Sequence, residues 1–310
     1  MGRALITGGA GFIGSSLADA LLQRGDEVRI LDNFSTGRQA NLQGLDGRVD
    51  LREGDLRDRR TVQDAVRGVD IIFHHAALVS VPLSMDDPET CDAVNVHGTV
   101  NLLSAARWEG VRRVVLASSA AVYGDSPALP LSEEAALAPL SPYAVSKQVN
   151  ELYAHLFHKI YGLDTVCLRY FNVYGPRQSP ESQYAAAIPI FLRKMLAGDR
   201  PTIYGDGSQV RDFIFIGDVV RANLAAGEAA GAPGRTYNIC SGVEIKILDL
   251  VGGMNQVLGS DLEPVFEPPR AGDIYRSLGD PSRAANEIDF SAETSLEEGL
   301  ALTAEWLRLG

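Results

Sequence analysis

Tyr143 and Lys147 are four residues apart in the segment SPYAVSK, which spans residues 141–147. Pro142 suits the first turn of a helix, so the spacing predicts that the two side chains share one helical face. A phenol is a poor base at neutral pH, but a neighbouring ammonium favours its ionised form. Ser119 follows an apolar run and could hydrogen-bond the oxygen of a substrate hydroxyl. Together, the three residues predict proton removal from an alcohol.

A glycine-rich turn lies at the start of the chain, with Gly8, Gly11 and Gly14 in the spacing G-x-x-G-x-x-G. It stands between a predicted strand and a predicted helix, where glycines let the backbone turn tightly and approach a pyrophosphate. The N-terminus of the helix would then face the phosphates with free N–H groups. This context predicts a dinucleotide site rather than an ordinary connection.

Asp32 ends the next predicted strand and could accept hydrogen bonds from adenosine ribose hydroxyls. Its charge would repel a 2′-phosphate, which favours NAD over NADP. Arg38 lies nearby in the sequence and could serve a 2′-phosphate, so the choice stays open at this point. With a nicotinamide ring adding positive charge, Tyr143 is predicted to take the proton while hydride leaves the same carbon.

The elements that must position these residues alternate between short apolar strands and helical stretches. Because such alternation predicts a parallel sheet covered on both faces, the predicted fold class is α/β, a doubly wound parallel (Rossmann) sheet with a smaller mixed α/β substrate domain. The predicted strands lie at 4–6, 27–31, 70–73, 114–116 and 165–168, and the predicted helices include 12–24 and 94–108.

The pattern becomes less regular after Gly175, which predicts a domain boundary there. Residues 1–174 are predicted to form the NAD-binding domain, rejoined by about 212–240, and residues 175–310 to form mainly the substrate domain. Strands are predicted at 202–204, 212–216 and 236–239, and helices at 188–197, 218–228 and 295–307. The three prolines in 263–270 predict an extended loop.

Composition excludes several classes of function. The net charge of −12 disfavours nucleic acid as a partner. Three cysteines, far apart in sequence, form neither a disulfide framework nor a zinc pattern, so no metal is expected. No apolar run approaches the length needed to span a bilayer, and the first residues resemble a strand rather than a leader. The sequence therefore predicts a cytoplasmic protein with no membrane partner.

The glycine turn of 7–14, Ser119 and the Tyr143–Lys147 pair resemble the signature of the extended short-chain dehydrogenase/reductase family. The resemblance covers essentially the whole chain. It is nearest to the UDP-hexose 4-epimerase branch, and within it to epimerases acting on UDP-N-acetylglucosamine. The segments that carry the branch resemblance are LDNFSTG at 31–37, SSAAVYG at 118–124, RYFNVYG at 169–175 and VRD at 210–212.

The resemblance implies NAD as cofactor and a UDP-sugar as substrate held by the second domain. It implies reversible oxidation at C4 of UDP-GlcNAc/UDP-GalNAc and UDP-Glc/UDP-Gal through a 4-keto sugar, with Ser119, Tyr143 and Lys147 as catalytic residues. Besides the glycines and that pair, the implied cofactor contacts are Phe12, Ile13, Asp32, Asn33, Asp55, Leu56, Ala76, Ala77, Asn95 and Tyr170. Besides Ser119 and Tyr143, the implied substrate contacts are Asn172, Tyr204, Arg211, Arg270, Asp273 and Ser277.

Two alanines separate the alternatives. Dehydratases of the family place an acid pair where this chain has Ala120 and Ala121, and related decarboxylases place a glutamate at the second position. A small residue at Ser277 is expected to leave room for an N-acetyl group. The remaining alternatives are a UDP-glucuronate 4-epimerase or decarboxylase, a reductase, and a non-catalytic NAD-sensing protein. The family also implies a homodimer through helices 94–108 and 142–161, unless these faces only cover the sheet.

Overall fold

The structure of the chain is a computed structural model that describes residues 2–45, 47–180, 187–269 and 274–309. Among these residues, no helix is both long enough and apolar enough to cross a membrane.

The described residues form thirteen strands and eleven α-helices. The strands are β1 Arg3–Thr7, β2 Glu27–Asp32, β3 Val49–Glu53, β4 Ile71–His74, β5 Arg113–Ser119, β6 Asp164–Tyr170, β7 Asn172–Tyr174, β8 Thr202–Tyr204, β9 Val210–Arg211, β10 Phe213–Phe215, β11 Arg235–Ile239, β12 Ile245–Lys246 and β13 Val265–Glu267. The helices are α1 Phe12–Gln23, α2 Arg59–Val66, α3 Val81–Asp86, α4 Pro88–Asp92, α5 Gly98–Trp108, α6 Pro142–Tyr161, α7 Ala187–Leu196, α8 Ile216–Glu228, α9 Ile247–Leu258, α10 Ser282–Ile288 and α11 Leu296–Leu309.

Seven strands form one sheet in the order β11-β6-β5-β4-β1-β2-β3, and each neighbouring pair is parallel. The predicted doubly wound parallel sheet is confirmed. Its strand order reverses next to β1, so the crevice at the carboxyl ends of β1 and β4 is where this architecture binds ligands. The glycine turn follows β1, and Ser119 ends β5 at the same edge of the sheet.

Both faces of the sheet are covered, because successive strand residues point to opposite sides. Ile6 belongs to the core on the face of α1 and α8, whereas its neighbour Leu5 belongs to the core on the face of α2, α5 and α6. These five helices therefore hold the ligand-binding edge rigidly from both sides.

Three two-stranded sheets lie outside the main sheet: β7 with β10, β9 with β12, and β8 with β13. The prediction of a loop over 263–270 is wrong for its middle, because Val265–Glu267 pairs in parallel with Thr202–Tyr204. The predicted strand at 236–239 is confirmed, since β11 joins the main sheet beside β6. The division into two domains stays a prediction.

Two helix boundaries also differ from expectation. The helix predicted from 94 begins earlier, with α4 at Pro88, and passes through a π-helical turn at Ala93–His97 before α5. The helix predicted from 218 begins at Ile216.

Candidate active site

The turn after β1 is built for close backbone approach. Gly8 has a φ of +70°, and a Cβ there would lie 2.7 Å from the amide nitrogen of Ala76. A Cβ on Gly14 would lie only 2.3 Å from the carbonyl oxygen of Gly8. Helix α1 begins at Phe12 with Gly11 as its N-cap, without a capping side chain and without an acidic residue in its first turn. Its free N–H groups therefore suit a diphosphate, as the predicted dinucleotide requires.

Asp32 is buried at the end of β2, where its carboxylate accepts the backbone N–H groups of Ala10 and Phe34, both at 2.8 Å. A carboxylate has further lone pairs, so Asp32 keeps the capacity to accept ribose hydroxyls. Arg38 donates to the Ser179 hydroxyl at 3.2 Å. Backbone N–H groups of the glycine turn and of the loop after β2 thus orient the Asp32 carboxylate.

Asp55 and Asn33 meet beside β2, with the Asn33 amide donating to the Asp55 carboxylate at 2.9 Å. The Arg57 guanidinium, bonded to the same carboxylate, holds the pKa of Asp55 well below its usual range. Leu56 is buried and packs closely against Gly98. A Cβ on Gly98 would lie 2.8 Å from the Cβ of Leu56. These predicted cofactor residues form one wall at the end of the sheet nearest β3.

The loop after β4 carries Ala76 and Ala77, and Asn95 secures it. The Asn95 side chain accepts the N–H of Leu78 at 2.7 Å and donates to Leu78 O at 3.1 Å and Ser146 Oγ at 2.9 Å. Asn95 is fully buried. Its amide therefore fixes the loop against α6. The family resemblance implies Asn95 only as a contact of the cofactor, so this positioning role is additional.

Helix α6 presents the predicted catalytic pair. Ser141 caps it by accepting the N–H of Ala144, and Pro142 occupies the first turn. The Lys147 ammonium lies 5.8 Å from the centroid of the Tyr143 ring and donates to Ala117 O, near the end of β5, at 2.8 Å. The Ser119 hydroxyl is close enough to the Tyr143 phenol to affect its pKa. The structure thus brings Ser119, Tyr143 and Lys147 together.

Burial controls the acidity of this pair. Burial raises the pKa of the Tyr143 phenol, and the neighbouring Ser119 hydroxyl opposes that rise. It also lowers the pKa of Lys147 to about 8. In the protein alone, burial outweighs the charge of Lys147, so the pKa of the phenol shows no net lowering. The charge of Lys147 and that of a cationic nicotinamide ring, when bound, would together favour the phenolate.

A cavity of about 360 Å³ lies between β7, β8 and α7. Asn172, Tyr204 and Arg211 line it, so three of the residues implied to hold the substrate meet there. Ser277 is half-buried close by, with its N–H bonded to Val210 O at 3.1 Å. Arg270 and Asp273, the remaining implied contacts, lie outside the described residues. The cavity combines an aromatic ring, an amide and a guanidinium, which suits a nucleoside diphosphate.

Within the described ranges, no group of three or more histidine, cysteine and acidic side chains could hold a metal ion.

The chain matches the NAD dependent epimerase/dehydratase family over residues 4–240. It belongs to that family. NAD is accordingly its cofactor, in agreement with the prediction from the glycine turn and Asp32.

Similar members of the epimerase/dehydratase family cover nearly the whole chain. A UDP-glucose 4-epimerase of Mycolicibacterium smegmatis is 42% identical over 99% of this chain and 98% of its own length. The structure of a UDP-N-acetylglucosamine 4-epimerase from Methanobrevibacter ruminantium M1, in complex with UDP-N-acetylmuramic acid, is 38% identical with a TM-score of 0.95, over 99% and 98% of the two chains. A Thermotoga maritima UDP-glucose 4-epimerase with UDP-glucose is 36% identical with a TM-score of 0.94, over 99% of each chain.

The sequence reasoning missed the role of Asp212 in this family member. Its carboxylate is fully buried and accepts hydrogen bonds from Ser241, Gly242 and Gly279, while its carbonyl accepts both the N–H and the amide of Asn172. Asp212 therefore ties together the chain segments around the cavity. Its place in the VRD segment was a signal, but the spacing gave no hint of its partners.

Lys194 was also missed. It projects from α7 into the lining of the cavity and donates to Thr202 Oγ1 at 2.9 Å. With Arg211 it gives the cavity a second cation, which suits an anionic ligand. A lysine on an amphipathic helix gives no sequence signal of this kind.

Proposed function

We propose that the protein interconverts UDP-hexoses at C4, acting on UDP-GlcNAc/UDP-GalNAc and on UDP-Glc/UDP-Gal through a 4-keto intermediate. The observation that carries the proposal is the meeting of Ser119, Tyr143 and Lys147 at the sheet edge where the glycine turn also lies. NAD, when bound, supplies the acceptor and donor of the C4 hydride. Similarity to UDP-sugar 4-epimerases over nearly the full chain supports the same reaction.

In the proposed mechanism, Tyr143 removes the proton of the C4 hydroxyl and later returns it. Ser119, which lies beside the tyrosine, holds the same oxygen and passes the proton. Lys147 keeps a positive charge near the phenol. Because Lys147 is buried and Ser119 and Tyr143 are half-buried, water weakens the charges at this site less than at the surface.

The short 3₁₀ turn Ala120–Tyr123 follows Ser119 directly and argues for an epimerase. Its first two residues are alanines, so this turn offers no acid to expel the C6 hydroxyl and no glutamate for decarboxylation. Without a proton donor there, the 4-keto sugar would not lose its C6 hydroxyl and would instead be reduced again at C4.

The substrate role of the cavity and the two-domain division are part of the proposal. UDP would stay bound while the sugar rotates between the two hydride-transfer steps. The residues proposed to hold it are Asn172, Tyr204 and Arg211 of the cavity, together with Arg270 and Asp273. The small side chain of Ser277 would admit a 2-N-acetyl group. The NAD domain would comprise 1–174 with about 212–240, and the rest would hold the UDP-sugar.

The assembly and location of the protein are proposed as well. We propose a homodimer, supported by the exposed apolar side chains of α6. A cytoplasmic location is supported by three buried cysteines that are all free thiols.

Incubation with UDP-GlcNAc, and separately with UDP-Glc and UDP-glucuronate, tests the proposal. Chromatography and ¹H NMR should reveal the C4 epimer of the first two, with unchanged mass. Tyr143→Phe should lower kcat by roughly 10²–10⁴-fold, because the general base is lost. Tyr153→Phe, the same change elsewhere on α6, is the matched control. A wild-type protein as inert as Tyr143→Phe on all three sugars would favour the NAD-sensing alternative.

A further inference from the structure

A chain of buried polar side chains runs beneath the catalytic edge. Glu151 and Arg169 form its centre, as an ion pair with bonds from Arg169 Nε at 2.9 Å and Nη2 at 2.7 Å, and both residues are at most 4% exposed. Ser118 donates to the same carboxylate at 2.5 Å. Arg169 Nη1 in turn donates to the Tyr123 hydroxyl at 2.8 Å. None of these four residues has a part in the mechanism above.

Two of these residues, Glu151 and Ser118, lie next to catalytic residues of the proposed mechanism. Glu151 lies one turn beyond Lys147 on α6, so Tyr143, Lys147 and Glu151 follow one another along one helical face. Ser118 directly precedes Ser119 on β5. The ion pair and the serine therefore join the strand that carries one catalytic residue to the helix that carries the other two.

We propose that Ser118 and Glu151 are positioning residues, whose hydrogen bond fixes the end of β5 on α6 and thereby sets the separation of Ser119 from Tyr143. The inference rests on the proposed function, because it assigns these residues a part in the same proton transfer. Neither residue needs to touch the substrate or the cofactor.

The cost of burying these charges argues for such a role. An ion pair removed from water is a weak source of stability compared with apolar side chains of the same volume. Its directional bonds, however, fix geometry: the Arg169 fork orients Glu151, and the remaining Glu151 lone pairs meet the Ser118 hydroxyl. A catalytic contact that tolerates little displacement gains most from this kind of constraint.

The chain of bonds continues to the substrate side. The Tyr123 hydroxyl donates to Asn238 Oδ1 at 2.6 Å, and Asn238 Nδ2 donates to Leu131 O at 2.7 Å. Leu131 pairs with the segment at 278–280, next to Ser277, through Leu131 N to Leu278 O at 2.9 Å and Asp280 N to Leu131 O at 2.9 Å. The same network therefore reaches from α6 to the wall of the substrate site.

Ser118→Ala removes the link to β5 and leaves the ion pair intact. We expect kcat to fall about tenfold while KM for the UDP-sugar stays within about twofold, because a misplaced Ser119 weakens the transition state more than binding. Thr165→Val is the matched control. Thr165 Oγ1 also joins a strand to α6, through Ala154 O at 2.7 Å, but at the end of β6 remote from the site. A normal kcat in Ser118→Ala, or an equal loss in Thr165→Val, would overturn the proposal.

Hydrogen–deuterium exchange separates this inference from the proposed function. Amides of 117–124 should exchange faster in Ser118→Ala than in wild type, whereas those of β1 and β2 should not change. Unaltered exchange at 117–124 would refute the positioning role, even in a protein whose substrate proves to be different. A wild-type protein inert on all UDP-sugars would refute only the proposed function.

Tyr123→Phe provides a second variant that keeps the ring and removes the next link. Since the ion pair then loses one of its supports, we expect a several-fold smaller kcat with unchanged KM. An unchanged kcat would limit the positioning device to Ser118 and Glu151, and would contradict the extension to the substrate wall.

Discussion

Lys147 is a cationic side chain in a place from which the fold excludes water, and this sets the pH dependence of the site. Burial lowers its pKa to about 8. We predict that kcat/KM falls as the pH rises through about 8, because the neutral amine no longer favours the phenolate. The groups that face the ammonium are Tyr143 and Glu151 on α6, His74 at the end of β4, His75 directly after it, Cys91 on α4 and Cys167 on β6. Burial keeps both histidines neutral, with pKa values of about 3.

Thermal unfolding measured over the same pH range is the control. The pKa of Lys147 is about 8 in the folded chain against a reference value of 10.5, so the unfolded chain binds more protons between those values. The contribution of this lysine to stability therefore improves as the pH rises through that window, while activity falls. A melting temperature that declines in step with kcat/KM would show that unfolding, rather than Lys147, causes the loss.

Ser277 tests the sugar range that the small side chain is proposed to permit. Ser277→Tyr should abolish turnover of UDP-GlcNAc while retaining that of UDP-Glc, because the added ring fills the space of the 2-N-acetyl group. The measurement is kcat/KM for both sugars. The prediction holds only if turnover of UDP-GlcNAc is lost while that of UDP-Glc is kept. Equal turnover of the two sugars by Ser277→Tyr would contradict it.

At the level of elements, the junction of β1 and α1 depends on glycines that cannot carry a side chain. Gly14→Ala would push a methyl group to 2.3 Å from Gly8 O, so the strand and the helix would have to separate. We predict that the purified variant contains much less NAD, measured after acid extraction. Gly252→Ala makes the same change in α9, where a Cβ meets nothing within 4 Å. NAD content should stay normal in that control, and equal loss in both variants would contradict the cradle.

The elements show which features the sequence alone could predict. Strands β1, β2 and β4 could be predicted because both their faces are largely buried and each carries apolar residues on both faces. Strand β3, with the sequence VDLRE, was missed because it lies at the edge of the sheet and is largely exposed. Strand β13 was missed because prolines surround it, and its pairing with β8 joins segments far apart in the chain.

The site divides in the same way. The spacing of Tyr143 and Lys147 is local, so helical geometry alone predicted their common face. The bonds of Asp212 and the ion pair of Glu151 with Arg169 join distant segments, which no spacing reveals. The direction of the Tyr143 pKa depends on how completely the ring is buried, and that is a property of the folded chain.

The surface of the whole molecule carries an apolar stripe along α6. Val145, Leu152, Leu156 and Ile160 are exposed there, and Leu152 is 62% exposed. A groove of about 510 Å³ continues the stripe, lined by Met85, Leu140 and Val145 among others. A contiguous apolar surface of this kind on one face of a helix is typical of a protein interface. The stripe therefore supports a homodimer in which α6 contacts a second copy of the chain, as the family resemblance also implies.

Leu152→Lys should therefore convert a dimer into a monomer, because it places a charge in the middle of the apolar contact. Light scattering coupled to size-exclusion chromatography measures the mass directly. Leu302→Lys on α11 is the control, since Leu302 is 40% exposed on another helix and its change should leave the mass at two chains. If the wild-type protein already has the mass of one chain, or if both variants dissociate alike, the stripe on α6 does not form the interface.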